Sequence, residues 1–452
     1  MIAPAGAKAR GSPSAAASRM PNFAVAATRT PEPPPALVGD PMTVHELAPE
    51  RRAYDDIAEM LDESFFAQKP LGAFDVVGVE FLAALSNQLL ASPGTRGFPE
   101  IVALAYWLRP ANVRRLVWEV ESTERNAARV PRGVALHIAP ANVDTLFMYS
   151  FALSLLAGNL NVVRVSQRPT APLARLLDEL RLLLQQPAWE ELACRNCVLT
   201  YAHNKEINRY LSERAHVRVL WGGDATVSAF RALPARVDVH DLVFPDRFSY
   251  CAIQAEAYLA ADADRRRTLA EQFYNDAYWF DQKACSSPQV VYFVGPVDRC
   301  RSAAPLFWDE LSAVVAAKGR MASPAEEMNH LVFLYEQMAE GQLAFRGPNR
   351  PGGPKYVRLS DPTYRPDMCG GGMFIESFVA SLDELAELVR GNDQTLTCFG
   401  FSQDDIRQFV QATAGRGLSR VVPIGQALNF SPRWDGYDLL RELTRLVAVL
   451  VE

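Results

Sequence analysis

From residue 134 to the helix that opens at Asp224 the chain alternates short β-rich runs with helical stretches, and no other feature limits its fold as tightly. Strands are expected at 134–138, 161–165, 197–200 and 217–221. Helices are expected at 145–156, 172–184 and 204–214, where apolar residues return every three or four positions. Gly158-Asn159 stops the first helix, because glycine accepts the left-handed backbone that closes one. Repeated strand and helix predict an α/β fold with a parallel sheet covered on both faces. The run 250–253 is expected to close this lobe.

The flanking segments read differently. Residues 1–40 are rich in Ala, Pro, Ser and Arg, with Pro33-Pro34-Pro35 near their end. They bury too little apolar surface to order themselves, so a disordered tail is expected. Helices are expected at 53–66, 75–90 and 104–120, the last broken at Pro110. Residues 41–255 then form one unit, N-terminal helices followed by the sheet. Residues 256–425 form a second, mixed unit. Its helices are expected at 265–278, 304–318, 324–338 and 403–412, and its strands at 290–294, 373–375, 395–399 and 420–424. Within 426–452, the stretch 437–451 is apolar at helical spacing. That predicts a C-terminal helix returning to the body or to a dimer interface.

Composition excludes several classes. The chain has 452 residues and is 49% hydrophobic, enough for a large core. Its formal charge is −6, so it lacks the basic excess of a nucleic-acid binder. No run of 18 apolar residues occurs, which argues against an integral membrane protein. Seven cysteines, an odd number, with no visible signal peptide predict a reduced, cytoplasmic protein. Cys194-Arg195-Asn196-Cys197 has the spacing of a metal or redox pair. It lacks a second Cys or His pair, so packing at a helix end is expected and no metal site.

Cys285 is the candidate nucleophile. It lies in Phe280-Asp281-Gln282-Lys283-Ala284-Cys285-Ser286-Ser287-Pro288-Gln289, between small residues and just ahead of a strand. A thiolate there attacks an activated carbonyl and carries the acyl group as a thioester. The local residues leave a second reading open, that of a buried core cysteine. Lys283 is a nearby cation, suited to lower a thiol pKa or to meet a carrier phosphate. His203, His216 and His240 are bases by residue type alone and are expected to be structural. Asn142 precedes a helix, so it reads either as an N-cap or as a donor to a developing oxyanion. Trp221-Gly222-Gly223-Asp224 opens a helix after a strand, where small residues let a phosphate approach backbone N–H groups.

Together these segments resemble the aldehyde dehydrogenase superfamily, and within it the LuxC-type acyl-CoA (fatty acid) reductases. The Cys285 segment and Trp434-Asp435-Gly436-Tyr437-Asp438-Leu439 carry the resemblance most strongly. It implies an aldehyde-dehydrogenase-like fold, with a Rossmann-type cofactor lobe and a mixed α/β catalytic lobe. Ile138-Ala139-Pro140-Ala141-Asn142 resembles a superfamily loop in which Asn follows Pro-Trp, with Ala141 in place of Trp. By that likeness Asn142 and the Cys285 N–H form the oxyanion hole, and Ala139 and Pro140 lie along the cofactor. The stretch 157–167 resembles the Gly-Asn turn and strand that face the adenosine ribose. Arg164 replaces a Lys there and Gln167 replaces a Glu. Arg164 and Gln167 then imply NADPH rather than NADH, with Ser166 between them along the cofactor. Gly222 and Gly223 match the phosphate-side turn. Phe244 stands where hydrolytic relatives have the Glu that activates water.

The activity implied is NADPH-dependent reduction of an acyl thioester, on CoA or on a carrier protein, to a fatty aldehyde through acyl-Cys285. An acyl-transferring synthetase is an implied partner, and a homo-oligomer an implied assembly. The alternatives are an aldehyde dehydrogenase forming an acid, a non-catalytic partner with the same fold, and a Cys-dependent hydrolase or transferase without nicotinamide.

Overall fold

The computed structural model describes residues 43–123, 126–140, 144–350 and 352–451. The expected tail at 1–40 and Asn142 lie outside them. Two seven-stranded sheets dominate the described residues. The first runs Arg52–Tyr54, Val44–Ala48, Asn196–Thr200, Leu160–Arg164, Val134–Ile138, Val217–Trp221, His240–Phe244. Its last five strands are parallel and, counted along the chain, stand in the order 3-2-1-4-5. That order places a crevice beside Val134–Ile138, at the carboxyl ends of the strands, where the winding reverses.

The second sheet runs Leu343–Arg346, Lys355–Leu359, Met373–Val379, Val290–Val294, Phe248–Gln254, Asp393–Phe399, Arg420–Pro423. Only its first pair is antiparallel. Val290–Val294 is central and fully buried, and every residue in it is apolar. Burial on both faces is what permits such a run. The loop holding Cys285 leads straight into this strand, so its exit is anchored in the middle of a sheet.

Three expectations need correction. The run 250–253 does not close the first lobe. His240–Phe244 does, and Phe248–Gln254 lies inside the second sheet. The chain crosses between lobes within Pro245-Asp246-Arg247, too short a passage to show as a linker. The helix expected at 53–66 is instead the strand Arg52–Tyr54 followed by two single turns, Ile57–Met60 and Glu63–Phe66. Asp56 and Asp62 each accept backbone N–H groups as N-caps, and Asp62 restarts the helix where the apolar spacing ran on.

The C-terminal helix is likewise one turn, Leu439–Glu442, followed by the strand Thr444–Ala448. That strand pairs antiparallel with Ala127–Pro131. Asn159 Nδ2 donates to the Leu443 carbonyl at 2.9 Å and Arg129 Nη1 to that of Arg441 at 3.1 Å. Both carbonyls are thereby occupied where a longer helix would have needed them. A short apolar run with Thr and Val suits a strand as well as a helix, so its spacing misleads.

Candidate active site

The Cys285 loop is pinned from beneath. Asp281 and Gln282 have φ of +47° and +60°, a left-handed bend that turns the chain after the helix Ala263–Tyr278. Gln282 is 3% exposed. Its amide donates to the carbonyls of Pro288 and Met373, both at 3.1 Å, and accepts the Gly372 N–H at 2.7 Å. Gly370, Gly371 and Gly372 all have positive φ, and a Cβ on Gly372 would stand 2.9 Å from the Tyr278 ring. This glycine run is therefore a close-packed turn under the loop. Ser249 Oγ donates to the Cys285 carbonyl at 2.6 Å, and Ser287 Oγ to that of Asp276 at 2.8 Å. The small residues around the sulfur serve this packing as well as access.

Cys285 opens into a cavity of about 520 Å³ between the two sheets. The crevice side contributes Ile138, Ala139, Pro140, Arg164, Gly222 and Gly223. Of the catalytic and cofactor-binding residues expected from sequence, six thus meet in one space: Cys285, Ala139, Pro140, Arg164, Gly222 and Gly223. Ser166 and Gln167 do not line it. They are half-buried beyond Arg164, and Ser166 Oγ accepts the Arg168 N–H at 3.2 Å in a local turn. None of the three candidate histidines lines it either. His216 Nδ1 accepts the Val134 N–H at 3.0 Å, and His240 pairs with Glu442 at 2.8 Å.

The cavity suits a dinucleotide at the carboxyl ends of the parallel strands. Gly222 has φ +158°, and a Cβ on Gly223 would stand 2.9 Å from the Asp246 carboxylate. Asp246 Oδ2 already accepts the Asp224 N–H at 3.2 Å, at the start of the helix Asp224–Arg231.

The same side of the cavity is also aromatic. Phe244 stacks on Trp221 with centroids 3.8 Å apart, and Phe430 and Trp434 continue the surface. The segment carrying Leu428 and Phe430 hangs on Asp276, which accepts the N–H groups of Gly425 at 2.6 Å and Ala427 at 2.9 Å. Burial pushes the Asp276 carboxyl up to about 7 against those two bonds.

Sequence reasoning missed the groups nearest the sulfur. Gln394 Nε2 lies 3.3 Å from Cys285 Sγ and also donates to Asp435 Oδ1. Arg247 Nε donates to Asp435 Oδ2 at 3.2 Å, and the Asp435 side chain is 1% exposed. Burial and the Asp435 charge push the Cys285 thiol up to about 11, while Gln394 and the backbone N–H groups of Cys285 and Ser286 pull it down. The Trp434-Asp435-Gly436 motif was the available signal, but spacing gave it no role. Lys283 lines the cavity mouth and is exposed.

Among the described residues no group of three His, Cys, Asp or Glu side chains is arranged to hold a metal ion, and no helix is long and apolar enough to cross a membrane. Cys197 is buried in a strand while Cys194 is exposed at a helix end.

Residues 115–317, a stretch that includes Cys285, match the family described as acyl-CoA reductase (LuxC). The long-chain acyl-protein thioester reductase of Aliivibrio fischeri is 25% identical over 185 residues, 40% of this chain and 35% of the relative. Its counterpart from Photorhabdus luminescens is 25% identical over 169 residues, 36% and 32%. The match thus spans about a third of the length of these curated relatives. Aldehyde dehydrogenase 21 of Physcomitrella patens, solved with succinate, superposes with a TM-score of 0.58 at 13% identity, covering 86% of this chain and 88% of that one. Lactaldehyde dehydrogenase of Escherichia coli gives 0.57 at 13% identity, covering 87% and 89%. The fold is that of the aldehyde dehydrogenases.

Proposed function

We propose that this chain, a LuxC-type member of the aldehyde dehydrogenase superfamily, reduces an acyl thioester to a fatty aldehyde through an acyl group carried on Cys285. One observation carries the reading: the sulfur and the carboxyl ends of the cofactor-type sheet share a single cavity. The Cys285 sulfur attacks the thioester carbonyl, an S–C bond forms, and the carrier thiol leaves with the proton. Asn142 and the Cys285 N–H hold the oxyanion by the family likeness. Ala139, Pro140, Arg164, Gly222 and Gly223 are the residues that would hold the dinucleotide. Bound there, a reduced nicotinamide supplies the hydride that releases the acyl group as aldehyde.

Phe244 favours reduction over hydrolysis. It presents a stacked apolar ring where hydrolytic relatives have a carboxylate, so no base at that position activates water against the acyl-enzyme. Arg164 favours NADPH, since a guanidinium pairs well with a 2′-phosphate. With Ser166 and Gln167 outside the cavity, that preference rests on Arg164. The names of the curated relatives favour a protein-bound acyl donor, while the family description names acyl-CoA. An acyl-transferring synthetase is the partner that the family likeness implies. The arm ending in exposed Leu446, Val447, Val449, Leu450 and Val451 supports a homo-oligomer. Seven free cysteines fit a reducing cytoplasm.

The test is aldehyde release from an acyl thioester with NADPH. Cys285→Ala is expected to abolish it, and undiminished output from that variant refutes the nucleophile. Arg164→Ala is expected to weaken NADPH binding roughly tenfold relative to NADH, the size of one lost surface-type phosphate contact. Equal effects on both cofactors would remove the basis for NADPH.

A further inference from the structure

We propose that Gln394 and Asp435 are positioning residues that aim the Cys285 sulfur and set its protonation, Asp435 holding one N–H of the Gln394 amide so that the other reaches the sulfur. This rests on the reading of Cys285 as the nucleophile.

The geometry leaves the Gln394 amide no freedom. Gln394 is 2% exposed on the strand Asp393–Phe399. Its nitrogen meets both Cys285 Sγ and Asp435 Oδ1, and its oxygen accepts from Thr395 Oγ1 at 3.3 Å. A flipped amide would set oxygen against carboxylate, so Asp435 fixes which atom faces the sulfur. Arg247 fixes Asp435 in turn. The chain of contacts therefore runs from Arg247 through Asp435 and Gln394 to the sulfur, across four segments far apart in sequence.

The turn itself does not require a charge. Asp435 and Gly436 have φ of +50° and +81° and link the two-residue strands Arg433–Trp434 and Tyr437–Asp438. Two successive positive φ values are those of a hairpin turn that accepts Asn-Gly as readily as Asp-Gly. The carboxylate is thus surplus to the turn, yet it is buried beside the reactive sulfur. Burying a charge is costly unless it is paired and used, and here it is paired on both oxygens.

The electrostatic consequence is two opposed influences on one thiol. The Asp435 charge disfavours thiolate, and the Gln394 N–H favours it. Other charged groups face the same space: Arg247 and Arg420 behind the sulfur, Lys283 at the mouth, Arg164, Asp246 and Glu100 on the walls, and Asp276 beneath the adjoining segment. Cys285 therefore rests as a protected thiol, aimed into the cavity by an amide that also stabilises the thiolate once the proton leaves.

The experiment is the pH dependence of Cys285 alkylation by iodoacetamide on the full chain, read by peptide mass spectrometry to separate it from the other six cysteines. In the unsubstituted chain the rate is expected to be still rising near pH 10, as for a thiol above its usual range. Asp435→Asn keeps the turn and is expected to lower the midpoint by about 1–3 units. Gln394→Leu is expected to raise it and to slow alkylation at neutral pH. An unchanged midpoint in either variant overturns the proposal. The readout needs no acyl substrate or cofactor, so it separates from the reductase reading. If the midpoints shift while Cys285 never takes an acyl group, the positioning stands and the reductase falls.

Discussion

A thiol held near pKa 11 carries little thiolate at neutral pH, and this shapes what the residues around Cys285 have to do. Its ionised fraction rises about tenfold per pH unit until the pKa is approached. The rate of acylation by an added thioester is expected to follow that slope between about pH 7 and pH 10. A rate flat across that window would show that another group takes the proton before the slow step. At this scale the sequence was partly legible. Cys285, Arg164 and the Gly222-Gly223 turn sit in short motifs whose residue types carry their own chemistry. Gln394 and Arg247 do not, because an amide and a guanidinium acquire a role only from neighbours that the fold supplies. Asp435 lay within a family-like motif, Trp434 to Leu439, but neither its burial nor its partners can be read from a hexapeptide. Ser166 and Gln167 were placed by the likeness of 157–167 to the ribose-facing strand, and they do not line the cavity that holds Cys285.

The elements that matter most for the site are the loop 280–289 and what clamps it. Gln282 satisfies the Pro288 and Met373 carbonyls and the Gly372 N–H with one side chain. Gln282→Ala strands three polar groups and is expected to cost roughly 2–4 kcal/mol of stability. Denaturant unfolding measures that cost, and a loss below about 1 kcal/mol would mean that the clamp is dispensable. The same substitution is expected to slow acylation at Cys285, because the loop would no longer present the sulfur from a fixed backbone. Most of the elements were readable from spacing. The strands of the parallel sheet and the long helices came through because burial imposes a clear period on them. Short pieces did not. Arg52–Tyr54 and Thr444–Ala448 are too brief for a period to settle, and both take their form from a partner strand. Gly158 shows the contrary case, a turn legible from one residue. Its φ is +82°, and a methyl group there would come within 2.5 Å of the Leu71 carbonyl oxygen.

Across the whole molecule, the chain crosses from one sheet to the other at Pro245-Asp246-Arg247, and this places two chemistries face to face. Phe244 ends the cofactor-side sheet, Arg247 braces Asp435 behind the sulfur, and Phe248–Gln254 begins its pairing beside the strand that follows Cys285. The two-lobe plan was legible as strand–helix alternation followed by a mixed lobe. The crossing point was not, since a three-residue passage between two apolar strands resembles an ordinary turn. The proposed reductase cycle depends on this arrangement, in which the acyl carrier is formed on one lobe and discharged from the other. The most direct measurement is intact-protein and peptide mass spectrometry after exposure to a long-chain acyl thioester without reduced nicotinamide. A single acyl adduct on Cys285, which disappears as free aldehyde forms when NADPH is added, is the predicted result. An unmodified Cys285, or an adduct that NADPH leaves in place, would contradict it.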